Sequence, residues 1–402
     1  MPNNLAITIL LAATISVTFA LADVPVFAQT PATGSASTPA QETDWLMRLG
    51  SRHIRVHDPS TIVKCGDEYW LFYTGPGVPS FHSKDLVKWE RGPSVFTNAP
   101  AWTAQAVPAN RWMYYWAPDV IHLGNRYLLY YAVSTFGKNR SAIGLATNPT
   151  LNPADPAFRW TDQGIVMQST NTDNFNTIDP AVSLDADGNL WLAFGSYWSG
   201  IKLIQLNPDT GRRIATNSPM YSLAFNDSIE ASYIYRHGEF YCLFVNWGRC
   251  CRGTNSTYEI RMGRSRKITG PYLDQQGVDL MAGGGTPFLS TSGSFIGPGH
   301  AGIVSKGGRD WLSCHFYDGT EAGRPALAIL LLRWNSNGWP EVELPPAAIQ
   351  SAKLPLIKPG VHPRIPNRPV LSAARLSAAT DVIQLDVGVV PEFLCSLQIP
   401  EK

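Results

Sequence analysis

Five times along the chain a polar or small opener leads into a short apolar strand pattern, and each time a turn then leads into a second, aromatic strand pattern. The openers are Asp58, Ala117, Asp179, Glu230 and His300. They head the segments Asp58-Pro59-Ser60-Thr61-Ile62-Val63, Ala117-Pro118-Asp119-Val120-Ile121, Asp179-Pro180-Ala181-Val182-Ser183-Leu184, Glu230-Ala231-Ser232-Tyr233-Ile234 and His300-Ala301-Gly302-Ile303-Val304. Turns such as Gly66-Asp67-Glu68, Gly124-Asn125-Arg126 and Asp187-Gly188-Asn189 precede runs such as Tyr69-Trp70-Leu71-Phe72-Tyr73, Tyr127-Leu128-Leu129-Tyr130-Tyr131 and Leu190-Trp191-Leu192-Ala193-Phe194. Glycine in those turns supplies the positive φ that tight hairpins need.

The openers recur at intervals of roughly 50 to 70 residues, room for about four short strands with their loops. The pattern predicts an all-β fold, a five-bladed β-propeller spanning 44–352. Radial repetition brings equivalent positions of all blades to one axis. Three carboxylates and one imidazole are therefore expected to converge at the centre.

Outside the repeats the pattern changes. Residues 1–28 carry a long apolar stretch rich in Ala, Ile, Leu and Val, which reads as an export signal, although no Lys or Arg occurs before Arg48. The run approaches the length of a membrane span, so an uncleaved anchor is the competing reading. Residues 29–43 are Thr-, Ser-, Ala- and Pro-rich, a composition that cannot bury a core and suits a flexible linker. Residues 353–402 form a C-terminal extension with a Pro-rich part and an apolar part, and composition assigns it no structure.

Composition agrees with a closed all-β ring, with 34 Gly, 31 Pro and 11% aromatic residues in 402. A formal net charge of +1 and the absence of basic runs exclude a nucleic-acid partner and favour a neutral substrate. The six cysteines match no zinc spacing. Cys65, Cys242 and Cys314 fall in hairpin positions, where thiols pack as core, whereas the adjacent Cys250 and Cys251 could bridge only through a strained ring.

Acids are seldom buried unpaired, yet Asp58, Asp179 and Glu230 each open an inner strand beside apolar sequence. Three carboxylates in one small space drive their pKa values apart, leaving one protonated. That supplies a general acid and a general base, the pair that cleaves a glycosidic bond. Clustered carboxylates could alternatively hold a hard cation. Aromatic-rich loops, including a Trp102-to-Tyr115 loop, suit a sugar's apolar C–H face, and also suit plain filling between blades.

His57-Asp58-Pro59-Ser60, Trp116-Ala117-Pro118-Asp119, Ile178-Asp179-Pro180-Ala181 and Ile229-Glu230-Ala231-Ser232-Tyr233-Ile234 together resemble the motif set of glycoside hydrolase family 43. Gly195-Ser196-Tyr197-Trp198-Ser199-Gly200-Ile201, Asn246-Trp247-Gly248-Arg249-Cys250-Cys251-Arg252-Gly253 and Gly299-His300-Ala301-Gly302 resemble its endo-α-1,5-L-arabinanase branch. The resemblance implies Asp58 as general base, Glu230 as general acid and Asp179 as the residue that tunes and orients the acid. It implies substrate contacts at Phe136, Asn176, Gly195, Ser196 and Tyr197, a calcium ion near His300, and inversion at the anomeric carbon. The expected protein is a secreted monomer acting on the polysaccharide arabinan, free of the membrane once its signal is removed. An exo-acting α-L-arabinofuranosidase or β-xylosidase of the same family, and a non-catalytic carbohydrate-binding propeller, are the alternatives.

Overall fold

A computed structural model describes residues 54–342 and 344. The segments read from sequence as export signal, flexible linker and C-terminal extension lie outside the described residues. Five antiparallel sheets succeed one another along the chain, making a five-bladed β-propeller. Blade one comprises Val63–Cys65, Glu68–Phe72, Ser80–Ser83 and Glu90–Gly92. Blade two comprises Tyr114–Leu123, Arg126–Val133, Ser141–Asn148 and Thr161–Ser169, with the two-residue strand Gly75–Pro76 added at its inner edge. Blade three holds Ala181–Leu184, Leu190–Phe194, Ile201–Leu206 and Met220–Ala224. Blade four holds Glu230–His237, Phe240–Trp247, Glu259–Ser265 and Thr286–Leu289, and blade five Phe295–Lys306, Arg309–Asp318, Arg324–Trp334 and Pro340–Val342.

The second strand of each blade is the aromatic run of the repeat, and it is buried almost throughout. Such strands read as continuous apolar sequence because both faces are covered, one by each neighbouring blade. The core is accordingly divided into five clusters, one per blade-to-blade interface. The cluster that closes the ring joins Ile54, Val56, Ile62 and Leu71 of the first blade's region to Val304, Trp311, Leu327 and Ile329 of blade five. Among the described residues both closing blades are built from contiguous chain, and packing and hydrogen bonds join them.

The expected loop between Trp102 and Tyr115 contains a six-residue helix, Ala101–Ala106. Pro100 before it has a fixed φ and its carbonyl accepts from the Thr103 backbone, which nucleates a single short stretch of helix.

At the axis the backbone is unusual in every repeat. Asp58, Ala117, Asp179 and His300 take φ values of 48°, 42°, 54° and 60°, in the left-handed region that side-chain-bearing residues rarely enter. In the fourth repeat the left-handed residue is Ala231 at φ 51°, one position after the opener. Register shifts accompany these positions at Trp116/Asp119, Glu230/Tyr233 and Gly299/Gly302. Bulges of this kind re-aim side chains, and here they serve the residues that line the centre.

Candidate active site

Asp58 is held by groups from the first blade's region and from blade five. Its Oδ2 lies 2.8 Å from His57 Nδ1 and accepts from Thr74 Oγ1 at 2.6 Å. Its Oδ1 lies 3.3 Å from His300 Nδ1, and its backbone N–H donates to His315 Nδ1 at 3.1 Å. Burial works to raise the Asp58 pKa, but the cation-capable His57 and His300 outweigh it and hold the carboxyl well below the usual range. His315, fully buried and stacked on His57 with ring centroids 4.2 Å apart, is pushed toward its neutral form by desolvation and by His57. A neutral ring whose Nδ1 accepts an amide proton must carry its own proton on Nε2.

Asp179 and Glu230 sit beside this cluster in the opposite electrostatic state. Burial, with Asp58 as a like-charged neighbour, raises Asp179 to about 6 even though His300 and the Ala231 amide pull it down. Glu230 rises to about 8, from burial first and Asp179 second, while Tyr258 Oη, donating to Glu230 Oε1 at 2.9 Å, works in the lowering direction. Tyr258 can reach the acid because residue 299 is glycine: a Cβ there would stand 2.3 Å from the Tyr258 ring. Near neutral pH the site therefore pairs an ionised Asp58 with a protonated Glu230, and Asp179 titrates between them.

The Gly195-Ser196-Tyr197 turn is tied to the residues just before two of these acids. Gly195 N–H donates to Ile178 O at 2.9 Å, and Tyr197 N–H to Ile229 O at 2.7 Å. Gly195 has φ 131° and a Cβ on it would meet Gly200 O at 2.5 Å, so only glycine fits. Ser196 is buried, and Tyr197 is raised to about 12 by desolvation and by Glu230. Phe136 stands farther out on blade two, 64% exposed, with its ring 5.0 Å from that of Trp116, the residue before Ala117. Asn176 is buried, its carbonyl oxygen accepting from Ser141 Oγ at 2.7 Å. Thus the four charged openers and the Gly195–Tyr197 turn converge, Phe136 flanks them, and Asn176 lies among buried polar partners.

Sequence reasoning assigned no role to His57, Thr74, His315, Tyr258 or Tyr317. His57 was visible within its motif, and the alternation of strand residues places His315 and Tyr317 on one face of Arg309–Asp318. Tyr258 had no signal, since it lies in the segment just before Glu259–Ser265 and meets Glu230, which opens the inner strand 28 positions earlier, only in the folded blade. Asp119 was also missed: Oδ1 accepts the Thr61 N–H at 2.9 Å and Oδ2 the Val182 N–H at 2.8 Å, so one buried carboxylate ties three blades.

The cysteine readings divide. Cys242 and Cys314 are buried, and burial raises both thiols, to about 12 for Cys242. Cys65 is half-buried. Cys250 and Cys251 have sulfurs 2.7 Å apart, and Cys251 Sγ lies 3.7 Å from His57 Nε2.

The calcium expectation can be tested against the donors present. His57, Asp58 and His315 bring metal-capable atoms within 4.8 Å of one another, and His300 joins them through Asp58. This set is rich in imidazole nitrogen and offers one carboxylate, whereas calcium takes six to eight oxygens. A calcium ion would fit only as a water-rich site, with His300 supplying a single ligand.

Residues 53–340 match the family model described as Glycosyl hydrolases family 43. The chain belongs to glycoside hydrolase family 43. Among family 43 relatives, the extracellular exo-α-(1→5)-L-arabinofuranosidase of Cellvibrio japonicus is 41% identical over 311 residues, covering 74% of this chain and 89% of the relative. The extracellular endo-α-(1→5)-L-arabinanase 1 of Bacillus subtilis is 39% identical over 314 residues, covering 76% and 92%. The solved Cellvibrio cellulosa α-L-arabinanase in complex with arabinohexaose superposes with a TM-score of 0.69 at 40% identity, covering 72% of this chain and 96% of that one.

Proposed function

We propose that this family 43 glycoside hydrolase cleaves internal α-1,5-L-arabinofuranosidic bonds of arabinan with inversion of configuration. The observation that carries the reading is the contrast between two acids at one centre: half-buried Asp58 lies between His57 and His300, which favour its ionised form, and Glu230 is buried near Asp179, which favours its protonated form. Glu230 would donate its proton to the leaving oxygen, and Asp58 would take a proton from the water attacking the opposite face of the anomeric carbon. Asp179, bound to the Ala231 amide next to Glu230, would orient the acid and keep its pKa high. Tyr197 and Phe136 offer aromatic surface for the sugar's C–H face, with Ser196 and Asn176 as polar partners.

Glu230→Gln is expected to lose cleavage of arabinan by about 10²- to 10⁴-fold while retaining activity on aryl arabinosides, whose leaving groups need little protonation. Asp58→Asn should fail on both, and NMR of the earliest products should show the inverted sugar. Equal losses on both substrates for Glu230→Gln would reject the acid assignment.

Similarity to the exo-acting Cellvibrio japonicus enzyme supports a second reading, release of sugars from chain ends. Digestion of debranched arabinan separates the two, since early oligomers mean endo cleavage and monomer or one short product means exo.

Export is proposed from the apolar 1–28 stretch and from two relatives named extracellular, and no helix among the described residues is long and apolar enough to cross a membrane. We also propose a calcium ion beside His300, which when bound would add positive charge near Asp58. Chelation should then lower the melting temperature as well as the rate, and calcium should restore both. An unchanged melting temperature with no stoichiometric metal by elemental analysis would leave His300 as a hydrogen-bonding residue alone.

A further inference from the structure

Cys250 and Cys251 are half-buried at the edge of the proposed catalytic centre, unlike the buried Cys242 and Cys314. Their sulfurs are in contact at 2.7 Å, and Cys251 takes a left-handed φ of 60°, which folds the pair into a tight turn. From this turn a short chain of contacts runs to Asp58. The Cys251 backbone N–H donates to Tyr317 Oη at 2.6 Å, Tyr317 Oη lies 2.7 Å from His57 Nε2, and His57 Nδ1 lies 2.8 Å from Asp58 Oδ2. Cys251 Sγ also touches the same imidazole edge, 3.7 Å from Nε2.

We propose that Cys250 and Cys251 are a redox-modifiable pair that closes to a vicinal disulfide by exchange with a small-molecule disulfide, and that the closed ring positions the Tyr317–His57 arm against Asp58. The exchange balances. One cysteine sulfur, after giving its proton to solvent, attacks oxidised glutathione and forms a mixed disulfide, releasing one glutathione thiolate that is then protonated. The second cysteine sulfur attacks the protein-side sulfur of that bond and expels the second glutathione. Two protein thiols and one small disulfide become one protein disulfide and two small thiols. Adjacent Cα atoms are about 3.8 Å apart, closer than the about 4.4–6.8 Å of ordinary disulfides, so the ring is strained and readily reduced. A bond of that kind suits a switchable modification more than a permanent staple.

Ring formation is independent of the substrate, so its test stands apart from the arabinan reading; the positioning effect rests on that reading. The full chain would be equilibrated with oxidised glutathione or with dithiothreitol, denatured, alkylated and mapped by mass spectrometry. The expected result is an unalkylated peptide two hydrogens lighter after oxidation and a doubly alkylated one after reduction, in the parent and equally in a Cys395→Ser variant. Two alkyl groups after oxidation, two glutathione adducts, or a link lost in Cys395→Ser would overturn the pair. On arabinan, oxidised and reduced enzyme should differ about two- to tenfold in kcat with KM unchanged, as displacement of a supporting group predicts. A Cys250→Ser/Cys251→Ser variant should show no response to either reagent. Equal kcat in both states, or the same response in the double variant, would reject the positioning role.

Discussion

Two neighbours of Glu230 act on its pKa in opposite directions, and this makes its role as proton donor measurable. Asp179 raises it through like charge, whereas Tyr258 lowers it by donating to Oε1. Asp179→Asn should therefore move the alkaline limb of kcat/KM down by about one pH unit, and Tyr258→Phe should move it up. Shifts of the same sign in both variants would separate that limb from Glu230. Stability follows the same proton. The folded chain keeps it up to about 8, while the unfolded chain releases it near 4.5. The contribution of Glu230 to stability is thus complete below the lower value and is lost as pH rises to the upper one. Asp58, whose folded pKa is depressed, has the reverse dependence and loses its contribution only as the solution becomes strongly acidic. Residue identity at 58, 179 and 230 was legible in the sequence because acids opening apolar strands are rare. The surrounding imidazoles and Tyr258 were not, because nothing local distinguishes a histidine in a strand from one aimed at a carboxylate.

The inner strand is the element that turns a repeat into a site. In three repeats the left-handed residue is itself the charged opener, but in the fourth it is Ala231, whose amide donates to Asp179 while Glu230 precedes it. Alanine gains nothing from that conformation, so the strain there serves the neighbouring acids. Ala231→Gly should retain the hydrogen bond to Asp179 and raise stability by about 0.5–1 kcal/mol, because glycine enters the left-handed region without steric cost. Chemical denaturation would read the change, and a destabilised variant would show that the Cβ contributes packing worth more than the strain. Strand existence and hairpin turns were visible as alternation of aromatic runs and Gly-containing turns. The bulges were not visible, since Ala117 and Ala231 carry no intrinsic preference for positive φ, and only the demand of the axis imposes it.

At the scale of the whole molecule, each blade is held to its neighbours by an apolar cluster and by a few buried polar ties near the axis. Asp119 is the tie with the widest reach, receiving amides from blades one and three while its own strand belongs to blade two. Asp119→Ala would orphan two buried N–H donors, a cost of about 2–5 kcal/mol, and should lower the melting temperature by several degrees; Asp119→Asn should recover part of it. An unshifted melting temperature would mean that water replaces both acceptors. The ring closes between Asp58 and His315 as well as through packing, so the bond that completes the fold also positions the proposed base.

Sequence alone determined the number of blades, their order and the three acids that open inner strands, because periodic burial and turn chemistry are written in local residue order and a closed ring follows from repetition. It also carried the family resemblance, which the match over 53–340 bears out. Tertiary structure alone decided which oxygen of Asp58 meets which imidazole, that Asp119 binds three blades, and that Cys251 reaches His57 across nearly two hundred positions. Those contacts join residues that share no local pattern and meet only when five sheets are packed around one axis. There, side-chain direction is set by bulge and burial, and residue order no longer constrains it.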